Sequence, residues 1–399
     1  MNSAGETWWL FAIQTTSSTG FAASYPFVAV YLLNERGASF TETGFAYLVA
    51  GVAAIFGQIV SGRLTDSYGI RRMMLIELVL SAFFSALIGF IVLERGSVIL
   101  LFVAYPLLFL FNSASQLTAS SIVADRQPTE MSNAFALLYI GLNLGFTIGT
   151  AVGGALATEY GYAPLFVLGA LCPLAACWMT LKAIKHNVRY ALRRKKTRAV
   201  KEGNIGRGRL DGDLIAFLLL TFLASITISY GAIPLAVYVS RFLNLSNLVI
   251  GFLFATNGLL VVVLQLPLSK FFAGLRRNGI ALIFGSVMQS LGFFLLPAFR
   301  NFAGLEIVVI LVTSGEMLIA VPAQIVIATR SELYNRGTYQ GYYYAVSRAG
   351  SSVAAFLGPL SFALLFANPS EAWYLVSATA ITTSIGFAVW ISISQNRSE

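Results

Sequence analysis

Long apolar runs separated by short polar stretches follow one another along the whole chain. Each run has roughly the 20 residues that a helix needs to cross a hydrocarbon core of about 30 Å. Twelve such runs cover residues 8–33, 41–62, 73–93, 98–123, 131–157, 162–182, 212–240, 247–270, 279–297, 305–327, 340–365 and 371–394. Runs this long exclude a transmembrane barrel, whose strands alternate over about ten residues. The pattern predicts an all-α polytopic membrane protein with twelve transmembrane helices.

Composition agrees with a membrane location and argues against an enzyme. Hydrophobic residues make up 57% of the chain and charged residues only 11%, which excludes an ordinary soluble domain. The only histidine, His186, lies in a basic polar stretch, and neither a His-Glu-x-x-His motif nor a nucleotide-binding loop is present. We therefore expect no catalytic residues, no cofactor and no metal site, and we expect ATP not to power the protein.

The basic residues are sorted between alternate loops. Of 26 Lys and Arg, 21 fall on one set: Arg63, Arg71, Arg72, Arg126, eleven from Lys182 to Arg209, Lys270, Arg276, Arg277, Arg330, Arg336 and Arg397. The other set carries Arg36, Arg95, Arg241 and Arg300. The positive-inside rule places the richer set and both termini in the cytoplasm. The net charge of +9 thus reflects the orientation of the chain in the membrane. We expect a plasma-membrane protein whose partner is the lipid bilayer and not nucleic acid.

The chain divides into two similar halves around a basic stretch. Residues 183–211 form a predicted cytoplasmic linker between six-helix bundles at 1–182 and 212–399. Gly44 and Gly251 match at an offset of 207 residues, and Pro26 of the first span resembles Pro234 of the seventh. Parallel repeats of this kind predict two bundles related by an axis along the membrane normal. The linker is interpreted as a solvated loop near anionic headgroups, with a regulatory role as the alternative.

The stretch from Gly62 to Arg72, Gly-Arg-Leu-Thr-Asp-Ser-Tyr-Gly-Ile-Arg-Arg, resembles the signature of the major facilitator superfamily between its second and third helices. Ser67 and Ile70 replace residues that are often basic there. The resemblance implies secondary transport by alternating access, with a cavity between the bundles. It also implies a conformational latch near the start of the eleventh helix that holds the outward-open state. The predicted latch residues are Gly62, Asp66, Gly69, Arg71 and Arg126.

The fifth span carries small residues at every fourth position, at Gly145, Gly149 and Gly153, which lets two helices approach closely. This run resembles the glycine-rich signature of antiporters in the superfamily, although Thr150 stands where that signature usually has proline. Tight packing without antiport is an equal alternative. About Tyr105 stands where drug antiporters usually carry an arginine, and this departure weakens the match to their proton relay.

Apart from groups at helix ends, three charged residues lie within the spans and are candidates for proton coupling: Glu316, Arg348 and Glu77. An acid inside a membrane is functional by default because its burial is costly. Glu77 is expected to reach the cytoplasmic interface or to pair there, mainly in a structural role. Glu316 lies halfway along the tenth span, one of the cavity helices in this superfamily, and is expected to bind protons or substrate. An ion pair between Glu316 and Arg348 is the alternative.

Polar and aromatic residues on four spans are the candidates for the substrate cavity: Gln14, Tyr25, Asn112, Gln116, Tyr230, Glu316 and Tyr343. They suit neutral or cationic amphiphiles better than polyanions, which would require several cavity cations. We predict a monomeric, proton-coupled exporter of hydrophobic or cationic small molecules, most similar to the drug:proton antiporters. The alternative is a proton-coupled importer or facilitator of a small polar metabolite, such as a sugar, peptide or organic acid.

Overall fold

A computed structural model describes residues 3–124, 128–184, 211–272, 275–330 and 336–396. Within these ranges the chain is helical throughout, with short turns and no strand. Its helices are α1 (Ser3–Ser24), α2 (Phe27–Asn34), α3 (Phe40–Tyr68), α4 (Ile70–Leu93), α5 (Val98–Ala124), α6 (Pro128–Glu159), α7 (Ala163–Ala183), α8 (Gly212–Tyr230), α9 (Ile233–Arg241), α10 (Asn247–Phe271), α11 (Leu275–Leu295), α12 (Phe302–Arg330), α13 (Arg336–Leu364) and α14 (Ser370–Asn396).

These helices confirm the predicted all-α fold and the order of its twelve segments. Within the described residues, ten segments are long and apolar enough by composition to cross a membrane. The other two, α1 with α2 and α13, are richer in Ser, Thr and Tyr. Both of these segments supply candidates for the substrate cavity. The two segments that are less apolar are therefore among those that carry the predicted cavity side chains.

Two of the predicted spans are broken helices. The first span breaks at Tyr25 and Pro26, between α1 and α2, and the seventh breaks at Gly231 and Ala232, between α8 and α9. Proline lacks the amide hydrogen that an inner helical turn needs, so a helix ends before it or begins with it. Pro26 caps α2, and Pro234 is the second residue of α9. The two breaks thus occupy equivalent places in the repeat.

The predicted loop from Gly62 to Arg72 is shorter than expected. Helix α3 continues through this stretch to Tyr68, and α4 begins at Ile70. Only Gly69 leaves the helical conformation, with φ of 87° and ψ of 148°. A positive φ is costly for a residue with a β-carbon, so glycine suits this single-residue break. The turn is therefore confined to Gly69.

Packing divides the chain into two compact units. The first comprises Met1–Ala38, Val49–Asn204 and Leu245–Leu259. In it α1 packs against α6 and α7, and α4 packs against α5 and α7. One core cluster of this unit contains Leu10, Ile13, Met74, Leu78 and Val123.

The second unit comprises Ser39–Leu48, Ile205–Asn244 and Leu260–Glu399. Here α11 packs against α12 and α14, and α8 packs against α13 and α14. A core cluster contains Phe217, Leu282, Ile319, Phe387 and Trp390. The predicted bundle boundaries at 182 and 212 stay a prediction, and residues 185–210 of the linker lie outside the described residues.

The repeated glycines both lie at close helix contacts, each within one unit. A β-carbon on Gly44 would lie 2.7 Å from the backbone oxygen of Phe356 in the second unit. A β-carbon on Gly251 would lie 2.7 Å from the backbone oxygen of Thr150 and 3.0 Å from the α-carbon of Gly154 in the first unit. Only glycine allows backbones to approach this closely.

Candidate functional site

The most enclosed acid of the described chain is Glu77 on α4, with 2% of its side chain exposed. Ser61 on α3 donates a hydrogen bond to its Oε1, and Thr118 on α5 donates one to its Oε2 at 2.8 Å. The hydroxyl oxygens of Ser61 and Thr118 are themselves 3.1 Å apart. Both hydroxyl residues are also buried. Three helices of the first unit therefore meet at one carboxylate.

The turn at Gly69 explains how two of these groups meet. Ser61 lies eight residues before Gly69, and Glu77 lies eight residues after it. Because α3 and α4 fold back on each other at this glycine, equidistant residues reach the same depth. Close contact with α5 is possible because Gly57, one turn before Ser61, faces the backbone of Leu110, where a β-carbon would lie 2.5 Å from its oxygen.

The partners that the structure gives Glu77 are hydroxyl groups, and its expected reach to the cytoplasmic interface stays a prediction. Arg71, six residues before Glu77 on α4, donates from Nη2 to the backbone oxygen of Leu181 at 3.2 Å, near the C-terminus of α7. Among the residues that the structure describes, no Lys or Arg lies within ion-pair distance of Glu77. The hydroxyls of neighbouring helices satisfy the carboxylate instead. The carboxylate is thus enclosed by neutral hydroxyl groups, with no paired cation among the residues that are described.

The predicted latch is described only in part. Asp66 and Gly62 lie in the last turns of α3, Gly69 forms the break, and Arg71 lies in the first turn of α4. The side chain of Asp66 and the whole of Arg126 lie outside the described residues. A β-carbon on Gly62 would have only Leu117 Cδ2 nearby, at 3.6 Å. Gly62 is therefore not required for close packing, and the latch stays a prediction.

Glu316 and Arg348 have different surroundings from Glu77. Glu316 is the middle residue of the 29-residue helix α12, and its side chain is half-buried. Arg348 lies on α13 with an exposed side chain. Next to Glu316, Gly315 packs on α11, where its β-carbon would lie 2.5 Å from the backbone oxygen of Gly285. The ion pair between Glu316 and Arg348 stays a prediction.

The cavity candidates of the first unit form local polar groups. Gln14 is buried and donates from Nε2 to Ser18 Oγ at 3.3 Å. On α5, Gln116 donates from Nε2 to Asn112 Oδ1 at 3.0 Å. Tyr25, at the break of the first span, has rings of α1, α5 and α6 around it: Phe21 at 5.4 Å, Phe109 at 5.9 Å and Phe146 at 5.8 Å between centroids. These three spans thus combine amide and aromatic groups.

In the second unit the two tyrosine candidates are buried. Tyr343 on α13 donates from its hydroxyl to the backbone oxygen of Ala320 on α12, at 3.0 Å. Tyr230 ends α8, and its ring meets Trp373 edge-on at 6.2 Å. Tyr343 therefore ties α13 to the helix that carries Glu316. Their role as cavity residues stays a prediction.

The glycine run of the fifth span packs on α1. A β-carbon on Gly145 would lie 2.3 Å from the backbone oxygen of Thr15. The corresponding distances are 2.3 Å from Gly149 to Thr19 and 2.2 Å from Gly153 to Ala23. Each glycine therefore meets a successive turn of α1. The structure gives these residues a packing role, and their link to antiport stays a prediction.

Tyr105, at the position where an arginine is usual in drug antiporters, is 98% enclosed and has the ring of Phe109 edge-on at 4.8 Å. This part of α5 therefore presents aromatic rings where drug antiporters usually have a cation.

A second polar cluster ties helix ends of the first unit together. Arg36 donates to the Tyr31 hydroxyl at 3.1 Å and to the backbone oxygen of Gly96. Asn247 donates to the Tyr162 hydroxyl at 3.1 Å, and the rings of Tyr31 and Tyr162 are 5.1 Å apart. Burial raises the pKa of Tyr162 above its ordinary value, while the bond from Asn247 acts in the opposite direction. The cluster holds the start of α10 beside the turn between α6 and α7.

Sequence reasoning missed Ser61 and Thr118. One signal for Ser61 was available, because it mirrors Glu77 across Gly69. No comparable signal marks Thr118, since most serines and threonines in membrane helices bond to the carbonyl one turn back. Thr118 is distinguished only by contact with a helix that lies 41 residues away along the chain.

Curated relatives cover most of the chain at low identity. The uncharacterised MFS-type transporter YqjV of Bacillus subtilis (strain 168) is 21% identical over 91% of this chain and 87% of its own length. A Na⁺, Li⁺, K⁺/H⁺ antiporter of Planococcus maritimus is 20% identical over 90% of this chain and 87% of its own length. These relatives fix neither a substrate nor a direction of transport.

Solved transporters share the fold. A peptide transporter POT in complex with sulfate superposes with a TM-score of 0.75 at 15% identity, over 98% of this chain and 94% of that one. The nucleoside transporter NupG gives a TM-score of 0.76 at 11% identity, over 96% of this chain and 99% of that one. The family model described as Major Facilitator Superfamily matches residues 10–355. The chain therefore belongs to the major facilitator superfamily and is a multi-pass secondary transporter, not an enzyme.

Proposed function

We propose that this transporter exports hydrophobic or cationic small molecules in exchange for protons, as the drug:proton antiporters do. The observation that carries the proposal is the half-buried carboxylate of Glu316 at the middle of α12. A helix of 29 residues is about 43 Å long, so Glu316 lies roughly 21 Å from either end. Its side chain is also partly exposed to solvent.

A carboxylate in this position can hold a proton or attract a cation. Protonation removes the negative charge, so a proton and a cationic substrate compete for the same group. Such competition is sufficient to couple two opposite flows when the transporter alternates between its two open states. The Planococcus maritimus relative is a Na⁺, Li⁺, K⁺/H⁺ antiporter, which supports exchange of cations for protons as the class of reaction. We further propose that the protein acts as a monomer in the plasma membrane.

Dye efflux from cells tests this function. Cells that express the protein and are loaded with ethidium or tetraphenylphosphonium should release the cation faster than vector-only cells when the medium is acidified. The advantage should vanish when an uncoupler collapses the proton gradient. Acid-driven accumulation of a sugar, a dipeptide or benzoate, without release of either cation, would instead establish the importer.

A further inference from the structure

Three buried side chains close a ring in the first unit. Ser61 contacts one carboxylate oxygen of Glu77, and Thr118 contacts the other at 2.8 Å. The two hydroxyls complete the ring at 3.1 Å. The exposed fractions of Ser61, Glu77 and Thr118 are 3%, 2% and 1%. Each group therefore touches both others in a space closed to solvent.

The number of hydrogens in this ring depends on the protonation of Glu77. Each hydroxyl carries one hydrogen, and an ionised carboxylate carries none. An ionised ring thus has two hydrogens for three contacts. If both hydroxyls donate to Glu77, the contact between Ser61 and Thr118 sets lone pairs against each other. A protonated carboxyl supplies the missing hydrogen, and each group then donates once and accepts once.

Within the described part of the chain, no cation pairs with Glu77 to offset its negative charge. Besides Glu77, the titratable and charged groups described on α4 and on the helices around it, α3, α5 and α7, are Glu42, Tyr47, Arg63, Tyr68, Arg71, Arg72, Tyr105, Cys172, Cys177 and Lys182. Not one of them hydrogen-bonds to Glu77 or pairs with it in the described chain. Cys177, the group of α7 that approaches α4, contacts the backbone oxygen of Leu75 at 3.8 Å. A buried carboxylate without a cation favours the neutral form.

We propose that Glu77, Ser61 and Thr118 form a proton-binding site that is separate from Glu316. Binding forms one O–H bond on the Glu77 carboxylate and breaks none within the protein. The proton is held while the ring is closed, and it leaves when Ser61 and Thr118 move apart. The part that this site plays in transport rests on the proposed function, whereas its protonation does not.

The ring is placed to couple protonation to helix packing. Gly57 brings the backbone of α3 against Leu110 of α5 one turn from Ser61. Loss of the proton makes the hydroxyl contact between the same two helices unfavourable. Ser61 also directly precedes the stretch that resembles the family signature. Release of the proton therefore acts on the end of α3 that leads into the turn at Gly69.

Infrared difference spectra of the purified transporter test the site directly. A pH jump should remove a carboxylic-acid carbonyl band from the wild-type protein. Glu77→Gln should lack this band, and Glu316→Gln should retain it. Thr118→Val should move the band to higher frequency, because the carbonyl loses a hydrogen-bond donor. The amide of Glu77→Gln can still donate and accept around the ring, so this variant should fold.

The outcomes are distinct. A wild-type spectrum without the band, an unchanged band in Glu77→Gln, or loss of the band on adding sodium at constant pH would overturn the proton site. In cells, Glu77→Gln should slow acid-driven dye efflux by about tenfold. Binding of tetraphenylphosphonium to the purified variant should stay at the wild-type level. Undiminished efflux in Glu77→Gln would show that the site has no part in transport. If instead the wild-type protein shows the Glu77 band but exports no dye, only the proposed function is rejected.

Discussion

Glu77 and Glu316 are both acids within apolar spans, but they differ in how far they are enclosed and therefore in what they can bind. Glu77 is closed in by two hydroxyl groups. Glu316 is half-buried at the centre of a helix. An enclosed acid can exchange only a small ion such as a proton, whereas a partly exposed acid can also meet a substrate. This difference gives separate predictions for the two residues.

Glu316→Gln should weaken the binding of cationic substrates. Loss of the charge removes the attraction that the half-buried carboxylate offers to a cation, and we expect the Kd of tetraphenylphosphonium to rise by about tenfold, or about 1.4 kcal/mol. Titration calorimetry on the purified protein measures the change. Wild-type affinity should fall as the pH is lowered, because the proton competes, and affinity in Glu316→Gln should not depend on pH.

Glu371→Gln is the matched control, since Glu371 is an exposed acid in the first turn of α14. This variant should bind like the wild type. An unchanged Kd in Glu316→Gln, with its pH dependence intact, would contradict the role assigned to Glu316.

Charged residues within apolar spans were predictable from the sequence, but most of their partners were not. Hydropathy identifies Glu77 and Glu316 because each interrupts an apolar run. The ring around Glu77 depends on α3, α4 and α5 meeting in space, with sequence separations of 16 and 41 residues. The sequence did not indicate that two neighbouring hydroxyls bond the carboxylate of Glu77, and its expected reach to the cytoplasmic interface stays a prediction.

At the scale of the helices, the contact between α1 and α6 depends on glycine. Gly149→Ala would place a β-carbon 2.3 Å from the backbone oxygen of Thr19, so the helices must separate. Overpacking of this kind costs about 1–3 kcal/mol, which exceeds the gain of about 1 kcal/mol from replacing glycine by alanine within a helix. We expect a lower melting temperature in detergent.

Gly62→Ala provides the comparison, because its β-carbon would meet only the end of Leu117, at 3.6 Å. Its melting temperature should equal or exceed that of the wild type. Equal stability of Gly149→Ala and the wild type would show that the contact between α1 and α6 is looser than its backbone distances indicate.

The sequence predicted helical segments correctly where the length and apolarity of a run are enough to identify a helix. The twelve segments follow from runs of about 20 apolar residues. The breaks at Tyr25 and Gly231 were not predicted, because both lie within runs that remain apolar on either side. The continuation of α3 to Tyr68 was also missed, since polar residues in a signature stretch were interpreted as a loop. Polar residues in this stretch therefore do not mark the end of the helix.

At the scale of the whole molecule, membrane topology is the most direct prediction. Both termini and the linker should lie in the cytoplasm, because 21 of 26 basic residues fall on that side. Single cysteines at Ser3, Thr197 and Ser398, in a background with Cys172 and Cys177 replaced by alanine, should react with an impermeant maleimide only after the cells are permeabilised.

A cysteine at Ser97, an exposed residue in the turn between α4 and α5, should react in intact cells and serves as the positive control. The assignment of sides would be reversed if Ser97→Cys were protected while the other three positions reacted without permeabilisation.

The contact between Gly44 and Phe356 has a consequence for biosynthesis. The two residues touch within one compact unit but are separated by about 310 residues of chain. At about 5–20 residues per second, a ribosome needs roughly 15–60 s to make that stretch. During this interval the first turns of α3 are already made while their packing partner does not yet exist. A nascent chain that stalls before α13 therefore carries an unpaired glycine surface at its third helix, which quality-control proteases and chaperones of the membrane can reach.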